Sequence, residues 1–248
     1  MPSGFSEGTF YFIIFRIKKN RLRLKKLKQT IRKFLFWYFV ITVIWVLIYR
    51  FINPPITYLM VQRAIERKVD GKDWKMERSW RDMDELSDNL KKAAIAGEDA
   101  RFLDHWGFDI EALQNAVEKN KRRKRIIGGS TISQQTAKNV FLWPGRSYIR
   151  KGFEAYFTLL IELLWGKERI LEVYLNVIEM GDGIYGAEAA TQQYYGKSAR
   201  SLSKSQAALL VAVFPNPLRW TPNRPTRYIY YKQRLILRNM GYIGKLPF

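Results

Sequence analysis

The sequence predicts a mainly α-helical protein, in which a single N-terminal transmembrane helix precedes one helical domain. Positions 34–52 form a 19-residue apolar run whose one charge is Arg50. Beyond it, apolar residues recur every three or four positions in several segments, which is the spacing of an amphipathic helix. No segment alternates cleanly between apolar and polar residues, as a half-buried strand would. These observations favour helices along the whole chain.

Composition restricts the chemistry available to the chain. Its 248 residues include no cysteine and one histidine, His105. Thiol nucleophiles, disulfides, zinc–thiolate sites and multi-histidine metal sites are therefore excluded. A histidine-assisted triad would depend on His105 alone. Acid–base chemistry falls mainly to carboxylates.

The apolar run has the length and flanks of a membrane anchor. As a helix, 19 residues span roughly 28 Å, about the hydrocarbon thickness of a bilayer. Pro54 and Pro55 then end the helix. A buried helix of a soluble protein is the alternative, but the run has no polar face and much aromatic bulk. No small-residue cleavage motif follows, which favours an uncleaved signal anchor.

The positive charge predicts the orientation of that anchor. The formal net charge is +21, and residues 1–33 carry ten Lys/Arg against Glu7. Such basicity suits either nucleic acid or anionic lipid and phosphate-bearing substrates. A basic block ahead of the span predicts a cytoplasmic N-terminus and an exported C-terminal domain, which argues against a nucleic-acid partner. The predicted parts are a basic cytoplasmic segment at 1–33, an anchor at 34–52 and a domain at 53–248.

The domain reads as a succession of short helices. Asp109 is a suitable N-cap, and Ser203 with Gln206 forms a plausible capping box. The charged, tryptophan-bearing stretch 72–88 predicts a loop. The predicted helices are 56–67, 90–98, 109–119, a segment opening at Gly128 and Gly129, 148–165, 167–180, 187–195, 203–214 and 227–240.

Two adjacent acids, Glu98 and Asp99, directly follow the small apolar run 93–96. A carboxylate at the end of an apolar segment is partly desolvated, which raises its pKa and makes it a stronger base. The alternative is a solvated or helix-capping pair, which is the usual role of such acids. The pair alone does not decide between these interpretations.

Two further segments suit anions. Residues 119–125 hold six basic residues in seven, which predicts either a solvated loop or a landing site for lipid headgroups or a diphosphate. Gly128-Gly129-Ser130-Thr131 then opens a helix, where free backbone N–H groups can bind anions. Gln134 and Lys138 share one face of that helix, and Gln135 and Asn139 another. An ordinary capped helix is the alternative.

Two motif matches are rejected. Gly181–Gly186 has the letters of a dinucleotide fingerprint, but it is predicted to follow a helix and has no βαβ context. Ser201–Lys204 and Ser87–Asn89 match two transpeptidase signatures, but in reversed order and without Lys-Thr-Gly. Arg150 and Glu154, four residues apart, are compatible with a simple exposed ion pair.

Taken together, the motifs resemble those of the peptidoglycan glycosyltransferases. The resemblance runs from about position 56 to 222, in order and with similar spacing. The segments that carry it are Glu98-Asp99-x-x-Phe102-x-x-His105-x-Gly107-Phe108-Asp109, Gly128-Gly-Ser-Thr-Ile-Ser-Gln-Gln-Thr-Ala-Lys-Asn139, Arg150-Lys151-x-x-Glu154, Lys167-Glu-Arg-Ile-Leu-Glu-Val-Tyr-Leu-Asn176, Gly186-Ala-Glu-Ala-Ala190 and Tyr194-Tyr-Gly-Lys197.

The resemblance implies a lysozyme-like, two-lobed helical domain of the monofunctional, biosynthetic type. The implied activity is polymerisation of lipid II into β-1,4-linked glycan with release of undecaprenyl diphosphate. Glu98 is the expected base and Glu154 the second essential carboxylate. The expected orienting or structural residues of the first motif are Asp99, Phe102, His105 and Gly107. The expected substrate- or diphosphate-binding residues are Ser130, Gln134, Gln135, Lys138, Asn139, Arg146, Arg150 and Lys151.

Cofactors and partners follow from the same expectation. No cofactor is required, although a divalent cation (Mg²⁺ or Mn²⁺) could assist the diphosphate, and the sequence shows no dedicated metal site. The expected partners are lipid II, the nascent glycan chain, membrane lipid and other cell-wall synthesis proteins. The alternatives are a lysozyme-like lytic enzyme, since that fold also uses a glutamate, and a non-enzymatic scaffold that binds cell wall or anionic lipid.

Overall fold

A long apolar helix occupies the N-terminal part of the computed structural model, which describes residues 7–121, 129–145 and 147–248. This helix, α1, covers Glu7–Phe51 and takes in both the basic segment and the apolar run. Within the described residues, its stretch Arg23–Phe51 is the one helix long and apolar enough to cross a membrane. The chain divides into two compact units, Met1–Ile48 and Tyr49–Phe248.

Polar caps set the starts of the domain helices. Side-chain oxygens of Ser87, Thr131, Ser147, Ser203 and Thr226 each accept a hydrogen bond from a backbone N–H two or three residues into the following helix. These bonds satisfy N–H groups that have no partner inside the helix. The helices are α2 (Tyr58–Val69), α3 (Asp88–Glu98), α4 (Ile110–Lys121), α5 (Ile132–Phe141), α6 (Tyr148–Leu164), α7 (Lys167–Val177), α8 (Ala187–Tyr195), α9 (Lys204–Ala212) and α10 (Arg227–Met240).

The domain helices pack in two main groups. Helices α3, α9 and α10 contact one another, and α5 lies against both α6 and α7. Leu90 and Ile95 are fully buried in the first group, and Ile161 and Leu171 in the second. The mainly helical class predicted from the sequence is confirmed. Glu98 is the last residue of α3. Its side chain contacts Gln135 of α5, so it links the first group of helices to the second.

A small sheet departs from the predicted pattern. Strands β1 (Glu77–Arg78), β2 (Glu179–Gly181) and β3 (Ile184–Tyr185) pair in the order β1-β3-β2, parallel and then antiparallel. The helix predicted to reach position 180 therefore ends at Val177. Strands of two or three residues are too short to show an alternating pattern, which is why the sequence did not reveal them.

The hairpin also corrects the reasoning about the glycine motif at 181–186. The motif begins with the last residue of strand β2, Gly181, rather than after a helix, and Gly183 has a φ of +71° in the turn. Glycine adopts this backbone conformation without steric cost. Because β2 and β3 are antiparallel neighbours joined directly, no βαβ unit surrounds the motif, and the rejection of a dinucleotide site stands on that ground.

Candidate active site

Glu98 lies at the C-terminal end of α3 and reaches α5. Its carboxylate accepts a hydrogen bond of 2.9 Å from Nε2 of Gln135. Burial raises the pKa of Glu98, while the Gln135 hydrogen bond and the positive charges of Lys232 and Lys138 oppose that rise. The side chain is half-buried, so a proton-bearing group can still approach it. This carboxylate has the properties of a general base.

A pocket of about 360 Å³ opens beside this carboxylate. Its wall includes Arg101, Asn115 and the exposed Ser130. The carboxylate and these polar groups could orient a hydroxyl-rich ligand.

Asp99 has a different environment from its neighbour. It is 7% exposed, and its carboxylate accepts hydrogen bonds from Nε2 of His105 at 2.9 and 3.1 Å. It also accepts the backbone N–H of Ile132 at 3.0 Å, the first residue of α5. Asp99 therefore ties the end of α3 to the start of α5, and both of its oxygens are engaged.

The rest of the first motif is packed into the fold. Phe102 is fully buried, and the ammonium group of Lys167 lies 4.6 Å from its ring centroid. The same ammonium donates a 2.6 Å hydrogen bond to the carbonyl of His105. Gly107 has a φ of +76°, and a Cβ there would lie 2.6 Å from Cγ2 of Thr158. These residues hold the turn after Glu98 in place.

The start of α5 is closed by its own side chains. Thr131 and Gln134 form a reciprocal capping box, in which Oε1 of Gln134 accepts the N–H of Thr131 at 3.0 Å. Since Asp99 takes the N–H of Ile132, the prediction of free backbone N–H groups at this helix start is wrong for these positions. The buried Gln134 is committed to the cap. Gly128 and the basic stretch from position 122 onward lie outside the described residues.

Lys138 and Asn139 lie one turn further along α5. Lys138 is half-buried and Asn139 buried. Burial lowers the pKa of Lys138, while the negative charges of Glu154 and Glu98 act in the opposite direction. The Lys138 ammonium thus interacts electrostatically with both carboxylates that the sequence singled out.

Glu154 is buried on α6 and pairs with two cations of the same helix. Its Oε2 accepts a 2.8 Å hydrogen bond from Nη1 of Arg150, and its Oε1 pairs with the ammonium of Lys151. The Glu154 side chain is 3% exposed and that of Arg150 is 11% exposed. The interpretation as an exposed ion pair is therefore wrong. In this arrangement Glu154 fixes two cations next to Lys138.

A second pocket, of about 420 Å³, is lined by two of these cations, Lys138 and Arg150. Sequence reasoning missed the two other charged residues in its wall, Arg63 of α2 and Glu179 of β2. No motif marked Arg63, and Glu179 was hidden in a predicted helix. Arg146 lies outside the described residues. The lining residues are Leu59, Arg63, Lys138, Asn139, Leu142, Trp143, Pro144, Gly145, Arg150 and Glu179.

One group of carboxylates and histidine among the described residues has ligand atoms close enough for a metal ion. Asp99, His105 and Asp109 place one ligand atom each within 4.8 Å of one another. However, both Asp99 oxygens accept hydrogen bonds from protein donors, and Oδ1 of Asp109 accepts the N–H of Ala112 at 2.8 Å. Mg²⁺ and Mn²⁺ need free oxygen ligands. The trio thus fits a hydrogen-bonded support rather than a metal site.

Comparison with known proteins gives a consistent result. The family model described as "Transglycosylase" matches residues 65–241. A protein of Pseudomonas fluorescens named "Biosynthetic peptidoglycan transglycosylase" is 51% identical over 221 residues, covering 89% of this chain and 92% of that protein. Proteins of the same name from Caulobacter vibrioides and Pseudomonas syringae are 53% and 48% identical, covering 82% and 89% of this chain and 86% and 94% of their own lengths.

Proposed function

The chain belongs to the transglycosylase family, and we propose that it is a peptidoglycan glycosyltransferase that polymerises lipid II into β-1,4-linked glycan. The domain of this family is lysozyme-like, in agreement with the helical fold. One observation carries the proposal: the half-buried carboxylate of Glu98 is held by Gln135 of α5, and Lys138 of the same helix lines a pocket together with Arg63 and Arg150. A base beside an anion site is what transfer from a diphosphate requires.

In the proposed reaction the growing glycan is the donor and lipid II the acceptor. Glu98 takes the proton of the acceptor 4-hydroxyl as that oxygen attacks the anomeric carbon of the donor. The bond from this carbon to the diphosphate oxygen breaks, and undecaprenyl diphosphate leaves with the bonding electrons. The configuration inverts to β. Gln135, which holds Glu98 by a 2.9 Å hydrogen bond, orients the base for this step.

Cations stabilise the leaving group in this mechanism. A diphosphate departs as an anion, so positive charges replace the protonated acid that a hydrolase uses. Lys138, Arg150 and Lys151 are the proposed contacts, with Arg146 as a further predicted one. Glu154 binds Arg150 and Lys151 and so acts as a positioning residue. Asn139, which lines the same pocket, is a proposed donor.

The remaining residues have supporting roles. Ser130 lines the pocket beside Glu98 and is proposed to contact the acceptor. Asp99, Phe102, His105 and Gly107 are proposed to hold the base in register through the contacts described above. Gln134 is assigned to this structural set as well, because its side chain caps α5.

The apolar helix gives the proposed enzyme its location. Ten Lys/Arg precede the span, which favours a cytoplasmic N-terminus and a catalytic domain on the outer face of the cytoplasmic membrane. An anchor there holds the cleft near the headgroup of a lipid-linked substrate. Lipid II, the nascent glycan, membrane lipid and other cell-wall synthesis proteins are the proposed partners.

The direct test incubates the purified full chain with lipid II and separates the products by size. Polymer should form, and the variant Glu98→Gln should bind lipid II without making polymer. Glu77→Gln, an exposed position on β1, serves as the matched control and should polymerise normally. Cleavage of prebuilt glycan would identify a lytic enzyme instead, and binding without turnover in the unmodified chain would identify a scaffold.

A further inference from the structure

An unusual ion pair forms part of the wall of the cation pocket. Glu179 of β2 has a side chain that is 9% exposed, and its Oε1 lies 3.5 Å from Nε of Arg63 on α2. Neither atom has a hydrogen-bond partner within the described parts of the chain. Both residues line the pocket together with Lys138 and Arg150. The two atoms are thus close together but not hydrogen-bonded, and they belong to residues of a pocket that a ligand can enter.

The charges on every side of Glu179 leave it poised to change its protonation state. Burial raises the pKa of Glu179 to about 7, with Arg63 opposing the rise and Asp182 and Glu66 adding to it. Near neutral pH this side chain therefore exists in both forms.

Two neighbouring elements complete this environment. On β3, the hydroxyl of Tyr185 is buried with no hydrogen-bond partner within the described residues, and burial raises its pKa well above the usual value, so this group stays neutral beside Glu179. Helices α5 and α6 contribute the ammonium of Lys138 and the guanidinium of Arg150 to the same pocket. A carboxylate among these cations would compete with an incoming anion.

Arg63 has donor capacity to spare. Its Nη1 donates a 2.8 Å hydrogen bond to Glu66. Its Nε faces Glu179 but donates no hydrogen bond within the described residues. A guanidinium held in this way can add a charge-assisted hydrogen bond to a phosphate oxygen. Arg63 would bring a cation from α2 to a site whose other cations come from α5 and α6.

We propose that Arg63 and Glu179 form a proton-linked part of the diphosphate site: Arg63 binds a phosphate oxygen, and Glu179 donates a hydrogen bond as a neutral acid but repels the ligand as a carboxylate. This inference rests on the proposed function, because it assigns further residues to the anion pocket of that reaction. Binding of the diphosphate then takes up a proton at Glu179. Loss of that proton weakens binding and favours release of the lipid diphosphate product.

The test measures binding rather than turnover. The full chain in detergent is titrated calorimetrically with inorganic pyrophosphate and with farnesyl diphosphate between pH 6 and 8. For unmodified protein relative to Glu179→Gln, affinity should fall with pH, by up to about tenfold per pH unit for one linked proton. Ionisation of the ligand itself affects Glu179→Gln and the unmodified chain equally. The ratio of their affinities therefore reports the contribution of Glu179 alone. Repeating the titration in buffers of different ionisation enthalpy should show proton uptake that Glu179→Gln loses.

Variants of Arg63 test the second half of the proposal. Arg63→Met should weaken pyrophosphate binding at every pH, Arg63→Lys should recover part of it, and the control Glu77→Gln should match the unmodified chain. Equal pH dependence in Glu179→Gln and the unmodified chain, or full affinity in Arg63→Met, would overturn the inference.

The same titrations separate this inference from the proposed function. If Lys138→Ala also binds pyrophosphate normally, the anion pocket itself is wrongly assigned. If Lys138→Ala loses affinity while Glu179→Gln behaves as the unmodified chain, the pocket stands and only the proton linkage fails. Farnesyl diphosphate binding more tightly than pyrophosphate would assign the pocket to the lipid-linked form of the ligand.

Discussion

Of the two adjacent acids, we expect Asp99 to be needed for stability and Glu98 for turnover. In Asp99→Ala, two buried donors, Nε2 of His105 and the N–H of Ile132, lose their acceptor. Each stranded donor costs about 1–3 kcal/mol. Loss of a carboxylate at the start of α5 adds about 0.3–1 kcal/mol. The free energy of unfolding should therefore fall by about 2–7 kcal/mol.

Glu98→Gln should not destabilise the fold. Burial raises the pKa of Glu98, which means that its charge opposes folding, and glutamine removes that charge. Its free energy of unfolding at pH 7 should equal or exceed that of the unmodified chain, while polymer formation from lipid II is lost. Asp99→Asn keeps one acceptor oxygen and should fall between the two in stability.

Urea unfolding in detergent, followed by tryptophan fluorescence, measures all three variants against the unmodified chain. The size assay for polymer is run on the same preparations at a temperature where each variant remains folded. Asp99→Ala within about 1 kcal/mol of the unmodified chain would fall below the cost of even one stranded donor and would refute the structural role of Asp99. Polymerisation by Glu98→Gln would refute the assignment of the base.

Three further predictions concern other parts of the site. Gly107→Ala should lower the free energy of unfolding by at least about 2 kcal/mol, because alanine is strained at φ +76° and its Cβ meets Cγ2 of Thr158 at 2.6 Å. Adding Thr158→Ser, which removes Cγ2, should restore part of this loss in urea unfolding. No restoration would exclude the clash with Thr158. Burial raises the pKa of Glu179 from 4.5 to about 7, so the folded state holds this proton more tightly than the unfolded chain, and the free energy of unfolding should fall as pH rises through that window. Relative to Glu179→Gln, the fall should approach about 3 kcal/mol, and parallel pH profiles would contradict it. Lys232→Met should move the acidic limb of the kcat/KM profile for lipid II to higher pH, because Lys232 lowers the pKa of Glu98; Lys232→Arg should leave the limb in place, and an unmoved limb in the methionine variant would contradict the charge effect.

The sequence was most informative where spacing and capping act locally. The predicted caps at Asp109 and Ser203 are confirmed, because each side chain accepts a hydrogen bond from the backbone N–H three residues later. Capping depends on neighbours in the chain, which the sequence displays directly. The placement of Glu98 and Lys138 in one site came instead from the resemblance of the ordered motifs to a known family, and it stays a prediction.

Features that depend on distant pairing were missed. Strand β3 joins β1, more than a hundred residues earlier, and no local pattern encodes that partnership. The burial of Arg150 and Glu154, and the meeting of Arg63 with Glu179, also arise only when separate elements pack. The helix start at Thr131 was misread for the same reason, since the acceptor for Ile132 comes from the end of α3.

Helix α5 acts as a molecular ruler for the proposed reaction. Gln135 holds the base, and Lys138 stands three residues later, which is roughly 4.5 Å along the helix axis. Helix geometry therefore fixes the spacing between the residue that holds the proton acceptor and the first cation. Adding one residue between them would turn Lys138 by about 100° about the helix axis. Substitutions can change the side chains of α5 or the loops that flank it, but the spacing between Gln135 and Lys138 can change only by whole residues.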